Sequence, residues 1–413
     1  FQTLDTASAV LFTSSYGNDA NTVGKLTVSG GEFKRTSGTQ EMIVDHYDAS
    51  NRGTAAVTGG KFDADISKYV PDGYIYNGET NTVEQLTVNN AVAKVGDTYY
   101  KSLADAIDAA QGDDTVKLLK NTSLTASMGT IGVEKDILLD LNGNTITGQD
   151  IRAIHVKGGT LTLTGTGVVT SKKTKSFDGD SSVIRVGDNS GENRPAGLVV
   201  GENVTIKAPD SYGITVFGSK TTETVTIKGK VLADHAAAIG GNGSAGFGDT
   251  KIVIEPSAEV VSTGYTGIYH PQTGTLTING GIIKGLSAIE SKSGETIIAV
   301  NGDPTITATG SISHNENNNG TSTSGYAIAV VNNKNYAGSA NVTINSGKYT
   351  GLIAVVDDQE NSGKNGTISI TGGLFSSDPS DYVAAGHYVD ASNNGDYPYT
   401  VKVGTKPAGA LIV

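Results

Sequence analysis

Apolar residues along this chain alternate with polar ones in short bursts, and each burst runs into a Gly pair followed by a bulky residue. The phrase reads LTVSGGEF at Leu26–Phe33, VTGGKF at Val57–Phe62, LTINGGII at Leu276–Ile283, VTINSGKY at Val342–Tyr349 and ISITGGLF at Ile368–Phe375. A period of two with β-branched residues predicts short strands, and the Gly steps predict tight corners where a positive φ is tolerated. A second phrase, a small residue followed by Ile and a further apolar position, comes between them. Its Ile residues are Ile154, Ile184, Ile214, Ile239, Ile268, Ile289, Ile328 and Ile353, separated by 30, 30, 25, 29, 21, 39 and 25 residues. Strands returning every few tens of residues are the mark of a solenoid. A period that drifts this widely fits a parallel β-helix, whose turns lengthen without disturbing the strands. Eight coils stacked at the inter-strand spacing make a rod of roughly 35–40 Å.

One stretch has a different period. Leu103, Ala106, Ile107 and Ala110 follow helical spacing, with Ser102 placed to cap the start and Gly112 to end the segment. A short helix over residues 102–111 is therefore expected to cover the open first coil of a β-helix running from about Val116 to Phe375. Before it, GGKFDADISKYVPDGYIYNG matches the later GGLFSSDPSDYVAAGHYVDASNNG when Gly59 is set on Gly372. Phe62 then meets Phe375, Asp65 meets Asp378, Ser67 meets Ser380 and Tyr69 meets Tyr382. Two copies of one end cassette imply tandem modules. Residues 1–90 are read as the last coils and cassette of a preceding module, 91–403 as a complete module with its own cassette, and 404–413 as the start of a linker. Both chain ends are read as cuts in a longer protein.

Composition narrows the partners. The 413 residues include 55 Gly, no Cys and no Trp, and the formal charge is −12 with a pI near 5.0. Without Cys there are no disulfides, thiolate metal sites or Cys nucleophiles. Without a basic stripe, nucleic acid and anionic membrane surfaces are poor partners. No apolar run of 18 residues is present, so membrane insertion is not expected.

The segments AKVGDTYYKSLADAIDAAQGDDTVKLL, ILLDLNGNTITG and LTLTGTGVV resemble the opening of right-handed parallel β-helix modules of the pectin-lyase-like superfold. They are most similar to modules in large tandem surface proteins of gut Firmicutes, which a GGxFxxDPSxYVxxGY cassette closes. The resemblance covers 91–403 well and 25–88 in part. It implies display on the bacterial cell surface and a carbohydrate context, and it transfers no catalytic residue, because the superfold serves lyases, hydrolases, adhesins and inert stalks alike.

Chemistry on such a rod belongs on outward positions of neighbouring coils. The residues after each register Ile form one column: His155, Arg185, Thr215, Gly240, Tyr269, Glu290, Ala329 and Ala354. A hydrolase needs two facing carboxylates, and a calcium-dependent lyase needs several acids plus a base. This column supplies one Glu, so no catalytic residue is assigned. His235 and His270 lack metal-ligand spacing. Asp357, Asp358 and Glu360 read first as a solvated acidic turn and second as a Ca²⁺ loop, Ca²⁺ being the one cofactor considered. Asp63, Asp65, Asp378 and Asp381 read as turn formers in the end cassettes.

Tyr212, Phe217, Tyr265, Tyr269 and Tyr326 lie close to the register Ile of their coils and are the candidate ligand-binding set, since sugar rings stack on aromatic faces. The competing reading is a tyrosine stack that only stiffens the rod. The preferred expectation is a non-catalytic extracellular stalk and adhesin. Its partners would be host or dietary glycans, host surface proteins and neighbouring modules. The alternatives are a carbohydrate-active enzyme of the superfold and a self-assembling fibre subunit.

Overall fold

The computed structural model describes residues 9–15, 23–38, 40–46, 52–173, 181–187, 194–217, 221–241, 249–292, 294–316, 320–336, 338–358, 365–391 and 395–405. The chain divides into two compact units, Phe1–Ala109 and Ala110–Val413.

The second unit is a parallel β-solenoid. Each coil contributes one strand to each of three sheets, so the first coil runs Thr115–Leu118, Thr122–Leu124, Ile131–Val133 and the next Ile137–Asp140, Thr145–Gly148, Ile154–Val156. Strands with the same place in successive coils pair in parallel. The third sheet has nine strands, and its eight steps at about 4.8 Å span about 38 Å.

The register Ile residues pair across coils as the sequence predicts. Ile131, Ile154, Ile184, Ile214, Ile239, Ile268, Ile289, Ile328 and Ile353 are successive Cα partners. All of them point inward and are buried. Matching ladders come from Ile137, Leu161, Leu198, Val225 and Ile252 on the first sheet and Ile146, Val169, Ile206, Val231 and Val260 on the second. Each such side chain contributes about 1.5–3 kcal/mol by leaving water, and parallel stacking lets one aliphatic residue per strand repeat without a clash.

The first unit is built on the same plan in fewer turns. Ala9–Phe12 pairs with Glu41–Val44, and Lys25–Phe33 pairs with Thr54–Phe62, both in parallel. Val28, Phe33, Met42, Ile43, Val57, Phe62, Ile66, Val70 and Val83 form its core. Its last segment is the expected helix, Leu103–Ala109, whose Asp105 N–H donates to Ser102 Oγ at 3.0 Å. The helix ends two residues before Gln111, and the two compact units divide directly after it.

The two cassettes share a ring stack, an Asp–Ser turn, a 3-10 turn and a hairpin. In each, a Phe stacks on an aromatic residue of the coil before it: Phe62 on Phe33 with centroids 5.0 Å apart, and Phe375 on Tyr349 at 4.9 Å. Gly60 and Gly373, two residues earlier, have φ of 117° and 120°, which turns the chain so that the ring enters the core. Asp65 then accepts from the N–H and hydroxyl of Ser67, and Asp378 does the same from Ser380. A 3-10 turn follows at Ser67–Tyr69 and Ser380–Tyr382. Tyr69 donates to the Ile43 carbonyl at 2.9 Å, while the Tyr382 hydroxyl accepts from the Val355 N–H at 3.1 Å. An antiparallel hairpin closes each cassette: Tyr74–Asn77 with Thr82–Gln85, and His387–Asp390 with Tyr399–Val403. Parallel ladders would otherwise end on open N–H and C=O groups, and the reversed strands cover them.

Candidate functional site

The outward column of the third sheet is the place where titratable groups gather. His155, Arg185, Thr215 and Gly240 are Cα partners in sequence, as are Tyr269, Glu290, Ala329 and Ala354. They face away from the Ile ladder, yet from Thr215 to Ala329 they are buried. Chain excursions fold over the sheet here. One leaves the second sheet after Thr305–Ala308, forms a small antiparallel pair between Ser313–His314 and Thr323–Ser324, and returns as Tyr326–Asn333. That returning strand is buried on both faces along its whole length.

Glu290 is the centre of this covered region. Its carboxylate, 0% exposed, accepts five hydrogen bonds of 2.7–3.1 Å from the backbone and hydroxyls of Ser322 and Thr323. Lys292, two residues on and on the same face, brings Nζ to 4.0 Å from Glu290 and 3.7 Å from Asp358. The ammonium donates to the Gly320 carbonyl at 2.7 Å and lies 5.6 Å from the centre of the Tyr336 ring. Asp358 also accepts from Asn333 Nδ2, and His314 Nε2 stands 3.9 Å from its other oxygen. Burial pushes the Glu290 carboxyl up and the Lys292 ammonium down, and their mutual attraction holds both back towards the charged forms.

The aromatic candidates separate into two groups. Tyr269 donates to or accepts from Tyr336 at 3.1 Å between hydroxyls, and burial drives its phenol far above the ordinary range. Tyr212 and Tyr265 adjoin this pair and are half-buried, with the Tyr212 phenol pushed up to about 12 by burial. The Tyr212 ring lies against Gly240, where a Cβ would come within 3.2 Å of it. Tyr326 sits apart, packed with Ala329, Val331 and Leu352. Phe217 is buried under the Arg185 guanidinium, 4.3 Å from the ring centre. Of the five aromatics, only Tyr212 and Tyr265 keep part of a face in water.

The acidic candidates do not converge. Asp357 and Asp358 are consecutive in the strand Leu352–Asp358, so their side chains leave on opposite sides. Asp357 is exposed and accepts from Asn332 at 2.9 Å, whereas Asp358 is enclosed with Lys292. The segment read as an acidic turn is therefore a strand end where these two residues stand, and Glu360 lies outside the described residues. Among the described residues no three acids or histidines are grouped as a metal site would need. His270, at 2% exposure, is held between the Thr250 and Thr296 hydroxyls at 3.0 and 3.1 Å, and burial lowers its pKa to about 4.

This geometry leaves little room for bond cleavage at Glu290. A glycosidase places its two carboxyl groups about 5–10 Å apart across a sugar bond, with the substrate between them. Here a lysine occupies the space between Glu290 and Asp358, and no face of either acid meets solvent. The arrangement latches the excursion to the sheet. Lys292, His314, Ser322, Thr323 and Tyr336 were not legible as members of the cluster. The one available signal was Lys at an outward position two residues after Glu290, which pairs charges on one face of a strand.

Compared with protein-family profiles, with curated proteins and with solved structures, the chain matched none, so what is established is the parallel β-solenoid.

Proposed function

We propose that the chain is a non-catalytic, extracellular part of a bacterial surface protein, acting as a stalk and as an adhesin for glycans. The observation that carries this reading is Glu290: the one acid of the outward column is spent on five internal hydrogen bonds and an ion pair. Two cassettes that share the same ring stack and Asp–Ser turn in one chain support a tandem arrangement, in which repeated weak contacts add up through avidity. Host or dietary glycans and host surface proteins are the partners that fit a neutral-to-acidic, hydroxyl-rich exterior.

The second reading is a carbohydrate-active enzyme, favoured by the gathering of Glu290, Lys292, His314 and Asp358 on one sheet. Incubation with pectin, alginate and host glycans separates the two. The proposal requires unchanged polysaccharide and retention on a glycan array; any new reducing or unsaturated end overturns it in favour of the enzyme.

A further inference from the structure

Lys292 stands at an outward position of the third sheet, with Val331 as its Cα partner and Val356 as the next in the ladder. Asp358 lies two residues beyond Val356, so the lysine side chain runs diagonally over the strand Tyr326–Asn333 to reach it. Nζ is 3.7 Å from Asp358 Oδ2 and 4.0 Å from Glu290 Oε1, and all three side chains are closed off from water. Two carboxylates thus enclose one ammonium, which costs free energy unless every charge is satisfied. Glu290 is satisfied, by five hydrogen bonds from Ser322 and Thr323. Asp358 is not. One oxygen accepts from Asn333 Nδ2, and Oδ1, although buried, accepts no hydrogen bond among the described residues.

We propose that Lys292 and Asp358 join in an intramolecular isopeptide bond, formed inside the folded chain with Glu290 carrying the proton. The amine attacks Asp358 Cγ, the N–Cγ bond forms and one Cγ–O bond breaks. The ammonium gives up two of its protons, and both leave on the departing oxygen as water, so no outside reagent is needed. Burial lowers the Lys292 ammonium towards the neutral amine that can attack, and raises the Glu290 carboxyl so that it can hold a proton in transit. Nζ stands just outside the near-attack range of about 3–3.5 Å, a gap that the lysine's methylene torsions close. Asp358 is the acceptor because it is the nearer acid and has an oxygen to spare, whereas both Glu290 oxygens are held by Ser322 and Thr323. The amide N–H that remains keeps the hydrogen bond to the Gly320 carbonyl. Condensation removes one buried ammonium and one buried carboxylate, leaving the acid whose charge is already satisfied. The product staples the strand Ile289–Lys292 to Leu352–Asp358, in a chain without Cys and so without disulfides. This bond goes beyond the adhesin reading and stands whether or not the chain binds glycans.

The test weighs the full native chain by intact mass spectrometry and then digests it with trypsin. The expected mass is that of the sequence less one water. Trypsin should leave Lys292 uncut and release one branched peptide, 285–334 joined to 349–364 through Lys292 and Asp358. Lys292→Arg keeps the positive charge but not the nucleophile, and should retain its full sequence mass. Glu290→Gln cannot carry the proton and should lower the linked fraction by more than about tenfold, with Glu290→Asp recovering part of it. A native chain at its full sequence mass overturns the proposal, and that reading needs no variant to fold. A water lost within 285–334 alone puts the link at Glu290 and overturns the assignment to Asp358. Complete linkage in folded Glu290→Gln overturns the role given to Glu290. If Glu290→Gln does not fold, the linked fraction of Glu290→Asp against the native chain decides that role.

Discussion

Glu223 provides the sharpest quantitative test of the structure. It opens the strand Glu223–Ile227 with its side chain turned in, 1% exposed, under the turn at Gly187. One carboxyl oxygen accepts from Thr221 Oγ1 at 3.0 Å, and the other has no hydrogen-bond partner among the described residues. Burial raises its pKa from 4.5 to about 7, with the Thr221 bond pulling the other way. In the unfolded chain the group releases its proton near pH 4.5, whereas the folded chain retains it to about 7. The native state therefore binds more protons across that window, and stability is fully present below 4.5 and falls as pH rises towards 7 and above. A shift of about 2.5 units at about 1.36 kcal/mol each sets an upper figure of about 3.4 kcal/mol. Glu223→Gln keeps the shape and cannot ionise. Urea unfolding of both proteins from pH 4 to 8.5 should give nearly equal stabilities at the acid end, with the variant ahead by about 2–3 kcal/mol at pH 8. Parallel pH profiles for the two proteins would refute the argument, because they would mean that Glu223 ionises in the fold as easily as in water.

Further outcomes follow from the same coordinates. Lys292→Met strands two buried carboxylates and should cost about 3–5 kcal/mol in urea unfolding, and adding Glu290→Gln and Asp358→Asn should recover part of that loss. Phe375→Ala empties the ring slot over Tyr349 and should cost about 3–5 kcal/mol, with unfolding of the second unit as the readout; Phe62→Ala should do likewise in the first. His270, with its pKa held down to about 4, should destabilise the fold as pH falls from 6.5 towards 4. Its stability contribution is present above the unfolded value, so His270→Gln should flatten that acid limb in thermal melts between pH 4 and 7.

The repeat was legible because parallel stacking makes every coil solve one problem. An inward position needs a branched aliphatic residue, and its neighbour two along needs the same, so Ile154 through Ile353 could be placed in register from spacing alone. The cassettes were legible for a related reason: Asp65 with Ser67, and Asp378 with Ser380, close a turn within three residues, so the whole interaction lies inside one short phrase. Outward positions carried far less information. Tyr269 and Glu290 looked like surface residues because strand alternation shows which side a residue faces but not what lies above it. Only Ser322 and Thr323, folded over Glu290, and Tyr336, against Tyr269, decided that.

What the sequence alone determined is the local rule: strand, corner, inward ladder, closing cassette and helix start. All of these depend on contacts within a coil or between equivalent positions of adjacent coils, which the repeat writes out. What only the tertiary structure decided is the state of the outer faces. Ser322 and Thr323 reach Glu290 across more than a coil of chain, and Asp358 meets Lys292 from the second coil beyond. Thr160 and Thr224, 64 positions apart, close over Gly197 because they are two ladder steps apart in space. Pairings of that kind are set by how far each loop travels before returning to the stack, and loop length is the variable the repeat leaves unconstrained.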